Sequence, residues 1–177
     1  HYANNPAQYP GLNIPGPAGS LYEVSYSEGV FTGYRHFDEN NITPAFPYGF
    51  GLSYTSFAYS DLQVTGTPPN LLVTATVTNT GTRSGTEVAQ LYVALPDPGP
   101  GVEQPPNQLK GFARITLAAG QSGQVRFGLN DRSFSYYDVG SDGWQISPGC
   151  YDINVGGNSR DLPLTTEAAL AGGACAP

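Results

Sequence analysis

The sequence predicts an all-β sandwich, and three observations carry the prediction. Gly 23, Pro 16, Tyr 12 and Phe 8, with no Met and a single Lys, describe a chain of turns and aromatic-rich strands rather than helices. From residue 57 onward, short β-rich runs follow one another with turn residues between them, the spacing of a two-sheet fold. Within these runs apolar and polar residues alternate, the mark of strands with one dry and one wet face.

Residues 1–27 are rich in Pro, Gly, Asn and Ala with Tyr at intervals, and no period is sustained, so an irregular connecting segment is expected there. Residues 28–57, EGVFTGYRHFDENNITPAFPYGFGLSYTSF, crowd Phe and Tyr together with Gly and Pro and fit neither the helical nor the strand template. Were residues 29–37 a strand, Arg35 and Phe37 would share one face and Tyr34, His36 and Asp38 the other, as suits an edge or interface strand.

Seven strand runs follow. FAYSDLQVTG is the first, and NLLVTATVTNTG the second, with Val73, Ala75 and Val77 opposed to Thr74, Thr76 and Thr78. NTGTRSG supplies Asn and Gly for the next turn. In TEVAQLYVALP the core face is Ala89, Leu91, Val93 and Leu95, leaving Gln90, Tyr92 and Ala94 outside. PDPGPGVEQPPNQ is too proline-rich for a central strand and reads as a loop. QLKGFARITLAAGQ and GQVRFGLN come next, the latter with Val125, Phe127 and Leu129 inward. FSYYDVGSDGWQIS is the sixth run, with Asp142-Gly143 where a tight hairpin wants positive φ. CYDINVGG is the seventh, with Tyr151, Ile153 and Val155 inward.

At 177 residues the chain fits one large domain, or one of about 100 to 120 residues plus an attached segment. A formal charge of −7 repels nucleic acid and anionic membrane surfaces and favours neutral partners. No apolar run is long enough to span a bilayer, and HYANNPAQYPG lacks the basic start and apolar core of a signal peptide, so a soluble chain that starts mid-protein is expected. Cys150 and Cys175 lack zinc-site spacing and are expected to pair, two unpaired thiols being the alternative. Closing that loop of about 25 residues would stabilise the fold by roughly 3 kcal/mol. Asn41-Ile42-Thr43 is an N-glycosylation sequon and points, like the disulfide, to an extracellular setting.

The residues offer little chemistry. Glycoside hydrolysis needs two carboxylates across a cleft, but the fourteen here are spread evenly from Glu23 to Glu167 and none stands out as a pair. Only His1 and His36 could serve a Ser-His-Asp arrangement, and the metal reading of His36 with Asp38 and Glu39 is weaker than paired charges on an edge strand. Trp144 is expected to pack on the sandwich rather than to serve as a sugar platform. No phosphate loop or dinucleotide fingerprint implies a cofactor. No catalytic, cofactor-binding or metal-binding residue is therefore assigned.

The ordered set NNPAQYPG, YSEGVFTGYRHFD, PAFPYGFGLSYTSFAYSDL, VTNTGTRSGTEVAQLYV, QLKGF and GCYDINVGGNSRDLPLT resembles the C-terminal part of the glycoside hydrolase family 3 β-glucosidases, over nearly the whole chain. The resemblance implies an immunoglobulin-like, fibronectin type III-like sandwich over residues 56–170, preceded over residues 1–55 by the end and linker of an α/β sandwich domain and followed by a tail at 171–177. It implies further that the nucleophile and the acid/base lie outside this chain. Ser141-Asp142-Gly143-Trp144 echoes the family's Ser-Asp-Trp nucleophile motif, but Gly143 interrupts it and its hairpin context is wrong.

Two functions from different classes follow as expectations. In the first the chain is the non-catalytic C-terminal portion of a secreted β-glucosidase, inactive alone, partnered by the catalytic domains and bracing them, with oligosaccharide or polysaccharide contact at its loops. Tyr34, Arg35, Phe37, Phe46, Tyr48, Phe50 and Tyr54 are then domain-interface residues. In the second it is a free-standing extracellular module that holds carbohydrate or lignin on its Tyr and Trp rings.

Overall fold

The computed structural model describes residues 28–97 and 99–175. Two antiparallel sheets face one another. The first joins β1 (Phe57–Thr67), β2 (Asn70–Asn79) and β5 (Ser122–Leu129) in the order β1-β2-β5. The second joins β3 (Gly85–Ala94), β4 (Gln108–Leu117), β8 (Gly149–Gly156) and β9 (Leu164–Leu170) in the order β4-β3-β8-β9. A short helix α1 (Tyr34–Glu39) precedes the sheets, and α2 (Asp131–Phe134) with a separate hairpin, β6 (Tyr136–Asp138) and β7 (Gly143–Gln145), lies between β5 and β8.

Alternation decides which face is dry. Val73, Ala75 and Val77 of β2, Ala89, Leu91 and Val93 of β3, Val125, Phe127 and Leu129 of β5, and Tyr151, Ile153 and Val155 of β8 fill one core. Burying each large side chain contributes about 1.5–3 kcal/mol. Leu95, at the end of its run, is only partly buried. Phe134 of α2 closes the core edge-on to Tyr151, with ring centroids 5.4 Å apart, and Tyr151 spends its hydroxyl on the Ser147 carbonyl at 2.8 Å. The α2 turn is held by Asn130, whose Oδ1 accepts from the Arg132 N–H while its own N–H donates to Ser133 Oγ.

The described residues of PDPGPGVEQPPNQ form a loop between β3 and β4 up to Gln108, which opens β4, and NTGTRSG turns β2 into β3. Asp142 takes the positive φ (51°) expected at its hairpin. The strand roster differs in two places. The sixth run folds into the β6–β7 hairpin outside both sheets, and a strand that was not expected, β9, pairs with β8 from Gly149↔Leu170 to Val155↔Leu164. LTTEAAL is weak in β-formers, so its extended state comes from the edge it completes rather than from its own preference.

Trp144 does not pack on the sandwich. It is 51 % exposed, edge-to-face with Tyr137 (5.3 Å), because the hairpin that carries it pairs with neither sheet. Nor is residues 29–37 a strand. Gly33, at φ 59°, turns the chain into helix α1, which Asn40 and Asn41 end, with the Asn40 side chain donating to the His36 carbonyl at 2.9 Å. One and a half turns are too short to leave a helical period in the sequence.

The candidate interface and cleft

The segment from α1 to β1 forms a partial third layer on the outer face of the four-stranded sheet. Tyr34 turns inward. Its hydroxyl accepts from the Leu109 N–H at 2.9 Å, and its ring lies 5.2 Å from Tyr48 and 5.8 Å, edge-on, from Tyr92. This cover explains why Tyr92 and Gln90 are buried although they alternate away from the core. Tyr92 donates to Gln90 Oε1 at 2.6 Å, Gln90 passes the connection on to the Gly157 carbonyl at 3.3 Å, and burial pushes the Tyr92 phenol well up. Gly49, at φ 86°, lies so close to the Gln90 amide that a Cβ would stand 1.9 Å from its nitrogen, so the linker can cross only as glycine.

Arg160 fastens the layer. Its Nη2 donates to the carbonyls of Phe37 (2.9 Å) and Ile42 (3.0 Å), and its Nε meets Asp38 Oδ1 at 2.9 Å. The Asp38 side chain is 8 % exposed, and burial raises its carboxyl above the usual range while Arg160 pulls the other way. The planar fork suits three acceptors gathered at a helix end, where the Phe37 carbonyl accepts from Arg160 as well as from the Ile42 N–H. Next to it, the Ser159 N–H donates to the Tyr48 carbonyl at 2.9 Å. Replacing Arg160 with Ala is expected to lower the local opening free energy of residues 34–42 by about 2 kcal/mol. Hydrogen exchange there should then speed up about 30-fold, with the β2 and β8 amides unchanged; equal exchange rates in variant and parent would refute the latch.

Beyond Pro44 the segment faces outward. Phe46 (72 %), Leu52 (93 %) and Tyr54 (92 %) are exposed, as are Tyr48 and Phe50 to a lesser degree, and Phe46 and Phe50 stack 5.2 Å apart. Phe37, half-buried, lines a 210 Å³ cavity with Asp38, Phe46 and Arg160. The structure thus divides the seven interface candidates: Tyr34 and Phe37 sit against the chain's own sandwich side, Phe46, Tyr48, Phe50 and Tyr54 form an outward apolar patch, and Arg35 belongs elsewhere.

Arg35 lines a cleft of about 950 Å³ between the β3–β4 loop, β4, α2 and the β6–β7 hairpin. Lys110 of β4 and Arg132 of α2 converge on it, the Arg132 guanidinium lying over the Trp144 ring, 3.1 Å from its centre. Burial, with Arg35 and Arg132 nearby, lowers the Lys110 ammonium to about 8. Glu103 and Asp138 are the carboxylates of the lining. The Ser141 hydroxyl and the Gly140 N–H hold the Asp138 carboxyl below its ordinary value, which unsuits it to be a general acid. Sequence reading missed this cleft because its charges come from residues 35, 110 and 132, far apart in the chain.

Among the described residues, the His, Cys, Asp and Glu side chains close enough to share an ion are Cys150, Glu167 and Cys175. The two sulfurs are joined to each other as the expected disulfide and are not thiolate ligands.

Comparison with known proteins matches residues 87–159 to the fibronectin type III-like domain. The chain is 43 % identical to the probable β-glucosidase M of Aspergillus niger over 87 % of its own length and 22 % of that protein's. It is 41 % identical to β-glucosidase cel3A of Pyricularia oryzae, over 89 % of this chain and 24 % of the other. Among solved structures, the GH3 β-glucosidase of Bifidobacterium adolescentis superposes with a TM-score of 0.81 at 38 % identity, covering 90 % of this chain and 24 % of that one. The β-D-glucoside glucohydrolase of Trichoderma reesei gives 0.77 at 37 %, covering 87 % and 25 %. The chain spans about a quarter or less of the length of these relatives. With its sandwich, its match to the fibronectin type III-like model and these homologues, the chain corresponds to the C-terminal part of glycoside hydrolase family 3 β-glucosidases.

Proposed function

We propose that the chain is the non-catalytic C-terminal portion of a secreted enzyme that removes terminal β-linked glucose from oligosaccharides, and that it braces that enzyme's catalytic domains. The outward patch of Phe46, Tyr48, Phe50, Leu52 and Tyr54 carries the reading. Such a run of exposed rings on a soluble sandwich is contact surface, and it sits on a segment pinned by Arg160 and the Ser159–Tyr48 hydrogen bond, so it is presented in a fixed place. Asn41 is exposed just past α1, as an N-glycosylated residue of a secreted protein must be.

A retaining glycosidase needs its nucleophile and acid/base about 5 Å apart around one bond. The isolated chain is therefore expected to release no product from an aryl β-glucoside, and turnover above a no-protein control would overturn the assignment of catalysis to other parts of the enzyme. For the brace itself, Phe46→Ser with Tyr54→Ser in the whole enzyme should hasten thermal inactivation while leaving KM unchanged; unaltered inactivation would remove the brace. The exposed Trp144–Tyr137 pair supports the second reading, a module that holds polysaccharide or lignin. Retention of the chain on insoluble cellulose or lignin favours that reading, whereas a brace alone stays in the supernatant.

A further inference from the structure

The cleft beside Trp144 concentrates positive charge in an acidic protein. The chain carries seven basic side chains against fourteen acidic ones, yet Arg35, Lys110 and Arg132 line this one cleft against two carboxylates, Glu103 and Asp138. Among the described residues the ion pair is Arg160–Asp38, so none of the three cleft cations has a carboxylate partner. Lys110 Nζ donates to Gln108 Oε1 at 3.0 Å, a neutral acceptor, and neither Glu103 nor Asp138 of the lining reaches it as an ion pair. Gathering three like charges from α1, β4 and α2 is unfavourable by itself, and Lys110, whose ammonium is lowered first by burial and then by Arg35 and Arg132, is the most costly of them to keep charged. An anion in the cleft would relieve it.

The same wall carries an aromatic shelf. Trp144 and Tyr137 are cross-strand partners in the β6–β7 hairpin, edge-to-face, and both expose about half their surface. Arg132 over the Trp144 ring and the Tyr137 hydroxyl bonded to Asp142 fix the two rings in place. A rigid ring beside a cation recognises a ligand that has both an apolar ring face and an acid group. The volume, about 950 Å³, accommodates more than one sugar ring. A bare phosphate would use the cations and leave the shelf idle, and a neutral glucan would use the shelf and leave the three cations without an ion-pair partner.

We propose that this cleft binds a uronate residue of an acidic polysaccharide, its carboxylate held by Arg35, Lys110 and Arg132 and its ring laid on the Trp144–Tyr137 shelf. The site does not depend on the bracing role, since none of the residues of the outward patch lines it.

Because Trp144 is the only tryptophan, its fluorescence reports the cleft alone. The full 177-residue chain is titrated at pH 6 and low salt with pentagalacturonate, its fully methyl-esterified form, cellopentaose, sodium phosphate and a short polyglutamate. Pentagalacturonate is expected to give a saturable change, at least ten-fold tighter than any other arm and weakened by added salt. Lys110→Gln and Arg35→Gln should each weaken it at least five-fold, and Lys110→Gln, which removes a crowded charge, should not lower the unfolding midpoint. Equal affinity for cellopentaose or the ester would show that the cations take no part. Equal affinity for phosphate would reduce the site to a charge patch, and equal affinity for polyglutamate would assign the cleft to an acidic protein surface. Each of these outcomes, or binding undiminished in Lys110→Gln, overturns the proposal.

Discussion

Replacing Asn79 with Ala is expected to destabilise the fold by about 3 kcal/mol. The residue ends β2, is fully buried, and uses every polar atom of its side chain. Its Nδ2 donates to the carbonyls of Arg83 (2.7 Å) and Leu117 (3.0 Å), while its Oδ1 accepts from Thr55 Oγ1 (2.5 Å) and the Gly81 N–H (3.1 Å). One amide thus joins the β2–β3 turn, the end of β4 and the linker before β1. Ala would strand several of these groups away from water, each costing about 1–3 kcal/mol unless the turn relaxes to expose it. Urea unfolding should show a lower midpoint with an unchanged m-value, and a loss below 1 kcal/mol would refute the network's importance. Asn79→Asp discriminates further. Its carboxylate would face two carbonyl oxygens, so its folded pKa would lie above the unfolded value of about 3.9. Such a group is least harmful below the unfolded pKa and most harmful above the folded one, so Asn79→Asp should lose stability relative to the parent as pH rises from 3 to 7.

Removing the disulfide with Cys150→Ala and Cys175→Ala together is expected to cost about 3 kcal/mol and to lower the thermal midpoint by about 6–12 °C. The bridge closes a loop with a sequence separation of 25, which constrains the unfolded chain. It also secures β9, the edge strand that has only β8 for a neighbour. The tail reaches the bridge by passing against Gly149. The Gly173 N–H donates to the Leu170 carbonyl at 2.9 Å, and a Cβ on Gly173 would meet the Gly149 nitrogen at 2.0 Å, so only glycine fits. Hydrogen exchange in residues 164–170 should accelerate before that of β2 and β3. Reduction of the parent with a thiol should reproduce the effect; a midpoint shift under 2 °C by either route would show that the strand holds its place without the crosslink.

These two sites also show what was legible in the sequence and what was not. The disulfide was open to expectation because two cysteines admit one pairing. Asn79 was visible only as a turn former in NTGTRSG, since the carbonyls it binds belong to residues up to 38 positions away. The core was read correctly in β2, β3, β5 and β8, where a period of two sorts residues onto two faces. The same rule placed Tyr92 and Gln90 in solvent, and it failed there because a third layer covers that face. Trp144 was expected to pack on the sandwich because large rings usually do, but the hairpin that carries it stands outside both sheets.

By itself the sequence determined the class of fold, the inward faces of its main strands, the disulfide pair and the kinship with β-glucosidases, because each of these rests on local periodicity, spacing or ordered motifs. Only the tertiary structure decided that the aromatic segment is half cover for its own sandwich and half outward surface, that Arg160 pins it, that β9 completes the second sheet, and that Arg35, Lys110 and Arg132 meet beside Trp144. Those features depend on contacts between residues remote in the chain, where burial and charge are properties of a neighbourhood that no short stretch of residues contains.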